Sequence, residues 1–200
     1  MRVLLLRHTA ADLPAGICYG RLDVGVRSPA AMHALAHSLA LDGFRRVVTS
    51  PSRRCQALAD AVAMRCGTKP TIDERLLELD FGAWEGMAWD DVPRAELDPW
   101  AANPRTVAPR CGETGAALVR RVSRACDDIR SAGTDCVVVS HGGPLKLMRA
   151  LLAGGKPDLL AQAPGLGSAE TVDVLGHTLA RMESATHSTT TAQAPSASPV

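Results

Sequence analysis

Val3-Leu4-Leu5-Leu6-Arg7-His8 starts with four apolar residues and ends on an arginine and a histidine. Cys136-Val137-Val138-Val139 follows the same plan and ends in Ser140-His141-Gly142-Gly143. Between them, Val47-Val48 runs into Thr49-Ser50-Pro51, with Arg53-Arg54 directly behind. Short apolar runs without alternation are the mark of strands in a parallel sheet covered on both faces. In an open α/β sheet, residues just past the carboxyl ends of the strands share one crevice. If these three runs are neighbouring parallel strands, two histidines and at least two arginines converge there.

The segments around the runs fit that sheet. Ser28-Pro29 reads as an N-cap followed by a proline in the first helical turn. Met32, Leu35, Ala36 and Leu39 then recur at helical spacing, with Gly43 expected to close the helix. Ser50-Pro51 is expected to cap a second helix, with Cys55, Leu58, Ala59, Val62 and Cys66 inward and Gly67 at its end. Pro70 to Asp73 is a short strand candidate. Glu113 to Ile129 reads as a helix with Leu118, Val122, Ala125 and Ile129 inward, and Pro144 opens another to about Leu152. Glu170 to Leu175 suits a late strand, and Thr178 to Met182 its hairpin partner. The fold class expected is α/β, a three-layer α/β/α sandwich with a mostly parallel central sheet.

Residues 79–109 break this regularity. Prolines stand at positions 93, 99, 104 and 109, and Phe81, Trp84, Trp89 and Trp100 make up most of the chain's few aromatics. An insertion with one short helix near Trp89 to Leu97 is expected to cover the crevice, as long insertions in compact domains often do. Domain organisation reads as one domain over 1–183 and a disordered tail over 184–200, where Ser, Thr, Ala, Gln and Pro leave little apolar area to bury.

The 200 residues carry a formal net charge of +1, so no global field favours nucleic acid or an anionic membrane. No stretch is apolar enough to span a bilayer. Val3 to Leu6 is too short for the core of a secretory signal. The six cysteines form no CxxC pair and read as reduced thiols of a cytoplasmic protein, several of them filling the core. No cysteine is followed six positions later by arginine, and no GxxxxGK[ST] loop is present. His33 and His37 have helical spacing, but no HExxH glutamate accompanies them, so they read as exposed polar residues. Lys146 also reads as exposed.

The chemistry of the crevice is that of phosphoryl transfer. A neutral imidazole is a competent nucleophile toward phosphorus. Arginine forks match phosphate oxygens with paired, charge-assisted hydrogen bonds. Neighbouring arginines also disfavour protonation of a histidine and so keep its attacking nitrogen free. The leaving alkoxide needs a proton. Glu78, in Leu77-Glu78-Leu79-Asp80-Phe81-Gly82, is the candidate acid, held protonated by partial burial beside a dianionic substrate.

On these residues the chain resembles the histidine phosphatase superfamily, the phosphoglycerate-mutase-like group. Arg7-His8 matches its RH motif. Ser50-Pro51-Ser52-Arg53-Arg54 matches S-P-x-x-R and selects Arg54 over Arg53. Glu78 stands four residues before Gly82, His141-Gly142-Gly143 supplies the second histidine, and Gly112-Glu113-Thr114 matches G-E-S. The resemblance runs from Arg2 to about Leu175. It implies catalytic His8, Glu78 and His141, with His8 phosphorylated and the phosphoryl group held by Arg7, Arg54 and His141. It implies no metal and no cofactor.

Two features depart from the family pattern. Thr9 replaces the usual glycine after RH and is expected to donate its hydroxyl or backbone N–H to the phosphate. The usual downstream asparagine has no clear match. The loop Cys18-Tyr19-Gly20-Arg21-Leu22-Asp23-Val24 and the run Phe81 to Gly86 are most similar to α-ribazole-phosphatase-like members. Tyr19, Gly20 and Trp84 are therefore candidate pocket residues.

The activity so implied is metal-independent hydrolysis of a phosphomonoester, with α-ribazole 5′-phosphate of cobalamin nucleotide-loop assembly as the expected substrate. The partner expected is this small molecule, with no nucleic acid and no membrane, and a homodimer is left open. Competing readings are a phosphoglycerate mutase, a broad sugar-phosphate or phosphoprotein phosphatase, and a non-catalytic phosphate-binding module. A mutase must exclude water beneath an ordered C-terminal lid, and the Ser/Thr/Ala/Pro composition of 184–200 favours hydrolysis.

Overall fold

The computed structural model describes residues 1–174. The expected strand at Thr178 to Met182 and the tail at 184–200 lie outside the described residues. The three apolar runs form β1 (Arg2–Arg7), β2 (Arg46–Thr49) and β4 (Cys136–Ser140), and β3 is Pro70–Ile72. The strand order is β3-β2-β4-β1-β5, with β5 spanning Ala169–Asp173. All neighbours are parallel except β5, which runs antiparallel to β1.

Alternate side chains of each strand serve opposite layers, as the pleat requires. Leu4, Leu6, Val47, Val137 and Val139 pack with α1 (Pro29–Ser38) and α2 (Arg53–Cys66). Val3, Leu5, Val48 and Val138 pack with α4 (Gly115–Ala132) and α5 (Gly142–Leu152). The molecule is thus the expected three-layer sandwich. No helix among the described residues is long and apolar enough to cross a membrane. All six cysteines are free thiols, five of them buried.

Helix ends differ from expectation in several places; α4 starts at Gly115 rather than Glu113 and runs on to Ala132, and α5 starts at Gly142, two residues before Pro144. Ser28 caps α1 as read, its side chain accepting from the Ala31 N–H, but the helix ends at Ser38. Gly43 lies beyond it in a left-handed turn at φ 87°, where a Cβ would strike the Arg2 guanidinium. The N-cap of α2 is Ser52 rather than Ser50, whose hydroxyl is committed to His141 instead. In the insertion, Trp89–Asp91 is only a 3-10 turn, and the helix α3 runs later, Arg94–Ala102. Pro93 accounts for the later start, since a proline suits the N-terminal end of a helix; α3 also carries Pro99 within it.

The insertion has a small core of its own, in which Cys18, Trp84 and Val92 are packed by Phe81, Met87, Trp89, Leu97 and Trp100. It is tied to the 16–22 loop by backbone hydrogen bonds from Cys18 to Met87, from Gly86 to Cys18 and from Trp89 to Gly16.

Candidate active site

The register of the sheet sets the site. Arg7 pairs with Ser140 and Thr49 with Val139, so β1, β4 and β2 end at one level. The next residues, His8, His141 and Ser50, therefore emerge side by side. The rings of His8 and His141 lie 5.1 Å apart, edge to face. A cavity of about 210 Å³ opens there, lined by Arg7, His8, Arg54, Glu78 and His141 together with Ile17, Tyr19, Phe81 and Trp89. The five residues expected to share a site do share one.

His8 is buried, and its Nδ1 lies 2.7 Å from the Thr9 carbonyl oxygen. A carbonyl only accepts, so Nδ1 carries the proton and Nε2 keeps its lone pair. Burial pushes the imidazole down to about 3, the Arg54 and Arg7 charges push the same way, and the Thr9 hydrogen bond opposes them. His8 is therefore a neutral imidazole with a defined tautomer across the ordinary pH range.

His141, N-cap of α5, is held by two groups that leave a single proton arrangement. Arg54 donates to its Nδ1 at 3.3 Å, so the proton sits on Nε2, which donates to Ser50 Oγ at 2.8 Å. Burial first, then the neighbouring His8 ring, which cannot share a second proton at such close range, and the arginine charges hold its pKa well below the ordinary histidine value. Cys55 Sγ packs 3.5 Å from the same Nε2, and burial pushes that thiol up to about 12, so it remains uncharged.

Arg54 is completely buried on the first turn of α2. Its guanidinium donates to the carbonyls of Leu22 and Gly20 at 2.9 and 2.7 Å, and sits 5.2 Å from the Tyr19 ring centre. Arg7 is half-buried, and its guanidinium donates to the Pro164 carbonyl. Among the described residues neither arginine is within ion-pair distance of a carboxylate. Burying a cation without a counter-charge is costly, and a bound anion relieves that cost.

Glu78 lies between the loop before the insertion and the start of α5. Its Oε2 accepts from the Gly143 N–H at 3.0 Å and its Oε1 from the Leu79 N–H at 2.9 Å. The carbonyl of Glu78 accepts from Arg121 and Arg21, at 2.9 and 3.2 Å. Both glycines after His141 have a steric reason. A Cβ on Gly142 would lie 3.1 Å from the Arg7 guanidinium carbon, and one on Gly143 would lie 2.2 Å from Glu78 Oε1.

Four expectations need correction. Thr9 does not line the cavity. Its main-chain carbonyl orients His8, and its hydroxyl is buried without a partner among the described residues. Gly20 supplies a carbonyl to Arg54 rather than a wall, and a Cβ there would lie 2.0 Å from the Leu79 oxygen. Trp84 is buried in the insertion core and donates to Glu96 at 2.9 Å, so Trp89 is the indole that faces the cavity. Lys146 is half-buried rather than exposed, donating to the Leu159 carbonyl. Tyr19 lines the cavity as read.

Sequence reasoning passed over Glu85 and Ser50. The Glu85 carboxylate accepts from the backbone N–H groups of Gly20, Arg21, Leu22 and Phe81, pinning the loop whose carbonyls hold Arg54. A glutamate three residues past Gly82 carried no signal of that role. Ser50 was legible as part of S-P-x-x-R, and its bond to His141 was not.

The sequence profile of the histidine phosphatase superfamily, branch 1, matches residues 3–179. The chain belongs to this superfamily. A bifunctional protein of Mycobacterium tuberculosis is 33% identical over 160 residues, covering 74% of this chain. This chain spans only 43% of that relative's length. Glucosyl-3-phosphoglycerate phosphatase of Mycolicibacterium vanbaalenii is 32% identical over 195 residues, 90% of this chain and 86% of the relative. The crystal structure of the α-ribazole phosphatase from Shigella flexneri superposes with a TM-score of 0.78 at 24% identity, covering 86% of this chain and 90% of that one. That likeness carries the fold, which is phosphoglycerate-mutase-like.

Proposed function

We propose that the protein hydrolyses phosphomonoesters through a phosphohistidine on His8. One observation carries the reading. The ring nitrogen of His8 not held by Thr9 is a free base in a cavity whose two arginines lack carboxylate partners among the described residues. A tetrahedral dianion completes that site electrostatically and lies within reach of the nucleophile.

The lone pair of His8 Nε2 forms the N–P bond while the P–O bond to the alcohol breaks. The leaving oxygen takes the proton of Glu78, and Arg7 and Arg54 neutralise charge on the equatorial oxygens. Water then adds to phosphorus and gives its proton to the Glu78 carboxylate. The N–P bond breaks, and His8 recovers its lone pair. His141, wedged between Ser50 and Arg54, fixes the guanidinium and contacts the phosphoryl group when it arrives.

For the substrate, α-ribazole 5′-phosphate follows from the resemblance of the 18–24 and 81–86 loops, and aromatic Tyr19, Phe81 and Trp89 suit a ring-bearing ester. The names of relatives add glucosyl-3-phosphoglycerate and phosphoserine to the panel.

The test combines phosphate release from these esters and 3-phosphoglycerate with alkaline quenching to trap the base-stable phosphohistidine. Stoichiometric labelling that vanishes in His8→Ala is expected. Glu78→Gln should slow phosphorylation of His8 by alkyl esters by about 100-fold while sparing the initial burst of p-nitrophenol from p-nitrophenyl phosphate, whose leaving group needs no proton; the water step that follows is slowed for both. Undiminished turnover in His8→Ala would sink the mechanism. Isomerisation of 3-phosphoglycerate in place of hydrolysis would make the protein a mutase.

A further inference from the structure

Beside the His8 cavity lies a second and larger one of about 320 Å³. Glu78 and Phe81 line both. The rest of the second wall is nearly all carbon, from Leu79, Trp100, Pro104, Leu118 and Leu159. Lys146 on α5 is its one cation among the described residues. The ammonium spends one hydrogen bond on the Leu159 carbonyl, which leaves two of its three donors for another acceptor.

We propose that this second cavity seats the alcohol part of the substrate, and that the alcohol is an apolar ring carrying one hydrogen-bond acceptor for Lys146. The proposal rests on the phosphatase reading above and deepens it. The acid must touch the leaving oxygen, so the carbon bonded to that oxygen lies at Glu78, the residue the two cavities share. The His8 cavity, at about 210 Å³, holds a phosphoryl group beside Tyr19, Phe81 and Trp89 but is smaller than a whole small-ligand site usually is. Small-ligand sites usually run to about 300–1,000 Å³, a size reached here only with the second cavity. Its wall selects the class. A polyhydroxylated sugar would lose its water hydrogen bonds there without replacement, whereas a ring with one acceptor loses few and meets Lys146. Gly115 keeps the cavity open, since a Cβ there would press within 2.7 Å of both the Leu159 side chain and the Pro104 carbonyl.

Three primary esters of similar leaving-group basicity test this on the full chain: glycerol 1-phosphate, 2-naphthylmethyl phosphate and its 6-carboxylate. Expected kcat/KM rises about 10-fold at each step in that order. Ala101 lines the cavity from the exposed side of α3, so Ala101→Trp fills the space without disturbing the core. It should lower both naphthyl esters by about 10-fold and leave glycerol 1-phosphate within about 2-fold. Lys146→Met should remove only the advantage of the carboxylate.

Calorimetric binding of 2-naphthalenemethanol to the chain and to Ala101→Trp separates the two readings. Binding blocked by the tryptophan, with no ester turned over, keeps the cavity site and removes the phosphatase. Turnover with no naphthyl preference, or an Ala101→Trp effect equal on all three esters, overturns the cavity proposal alone. Neither binding nor turnover removes both.

Discussion

At Gly143 a single hydrogen atom separates a working acid from a displaced one. Any Cβ would sit 2.2 Å from Glu78 Oε1, and the carboxylate would have to leave the N–H groups that orient it. Gly143 also lies in the first turn of α5, where alanine fits the helix at least as well as glycine. Gly143→Ala should therefore leave the thermal midpoint nearly unchanged while lowering kcat on alkyl esters by about 100-fold. Calorimetry beside steady-state kinetics checks this, and a variant with normal kcat would show that Glu78 needs no fixed position. At this scale the charged groups were legible in the sequence. Arg7, His8, Arg54, Glu78 and His141 each occupy a motif position, and phosphate chemistry restricts which residue types serve. Thr9 was misread because its contribution is a main-chain carbonyl, which every residue owns and no side chain announces.

Among the elements, α4 reaches furthest into the site without touching substrate. Arg121 on α4 donates to the carbonyls of Arg75, Leu77 and Glu78, and pairs through both Nε and Nη2 with Glu113 at 2.8 Å. One guanidinium thus holds the whole segment that delivers Glu78. The pair is largely buried, with side chains 15% and 13% exposed. Arg121→Met would leave Glu113 with only the longer Arg21 pair at 3.6 Å and take the donor from the Arg75 and Leu77 carbonyls, at a cost of about 3 kcal/mol. Arg121→Lys should fare little better, because an ammonium cannot reproduce the planar fork. Urea unfolding gives the loss, and a midpoint unchanged from the parent would refute the latch. The strands were readable because Cys136–Ser140 and its neighbours are buried on both faces, which the bare apolar run reports. The insertion was not, because its prolines erase periodicity. Which of Trp84 and Trp89 faces the cavity depends on tertiary packing and not on spacing.

For the molecule as a whole, two uncharged imidazoles lie at the junction of three strands, and its acid response follows from them. In the unfolded chain a histidine takes up its proton near pH 6.5, whereas native His8 resists protonation to about pH 3 and His141 also binds its proton only well below the ordinary value. Between those limits the unfolded state holds more protons than the native state. Stability is therefore full above about pH 6.5 and declines as pH falls, by about 1.4 kcal/mol per pH unit for each such histidine. Asp73 and Glu113, held below their usual values against the opposing effect of burial by hydrogen bonds from Arg75 and Arg121, add their own losses only further down, below the ordinary carboxylate range. The interval from pH 6 to 5 thus isolates the imidazoles. Urea unfolding across it should show a slope reduced by about 1.4 kcal/mol per pH unit in His8→Ala, with the remainder reduced again in the double variant with His141→Ala. The same burial that makes His8 costly to protonate keeps its Nε2 free for attack in mild acid. An unfolding free energy flat across this interval would mean that the two rings are already charged, and a charged His8 has no lone pair with which to take a phosphoryl group.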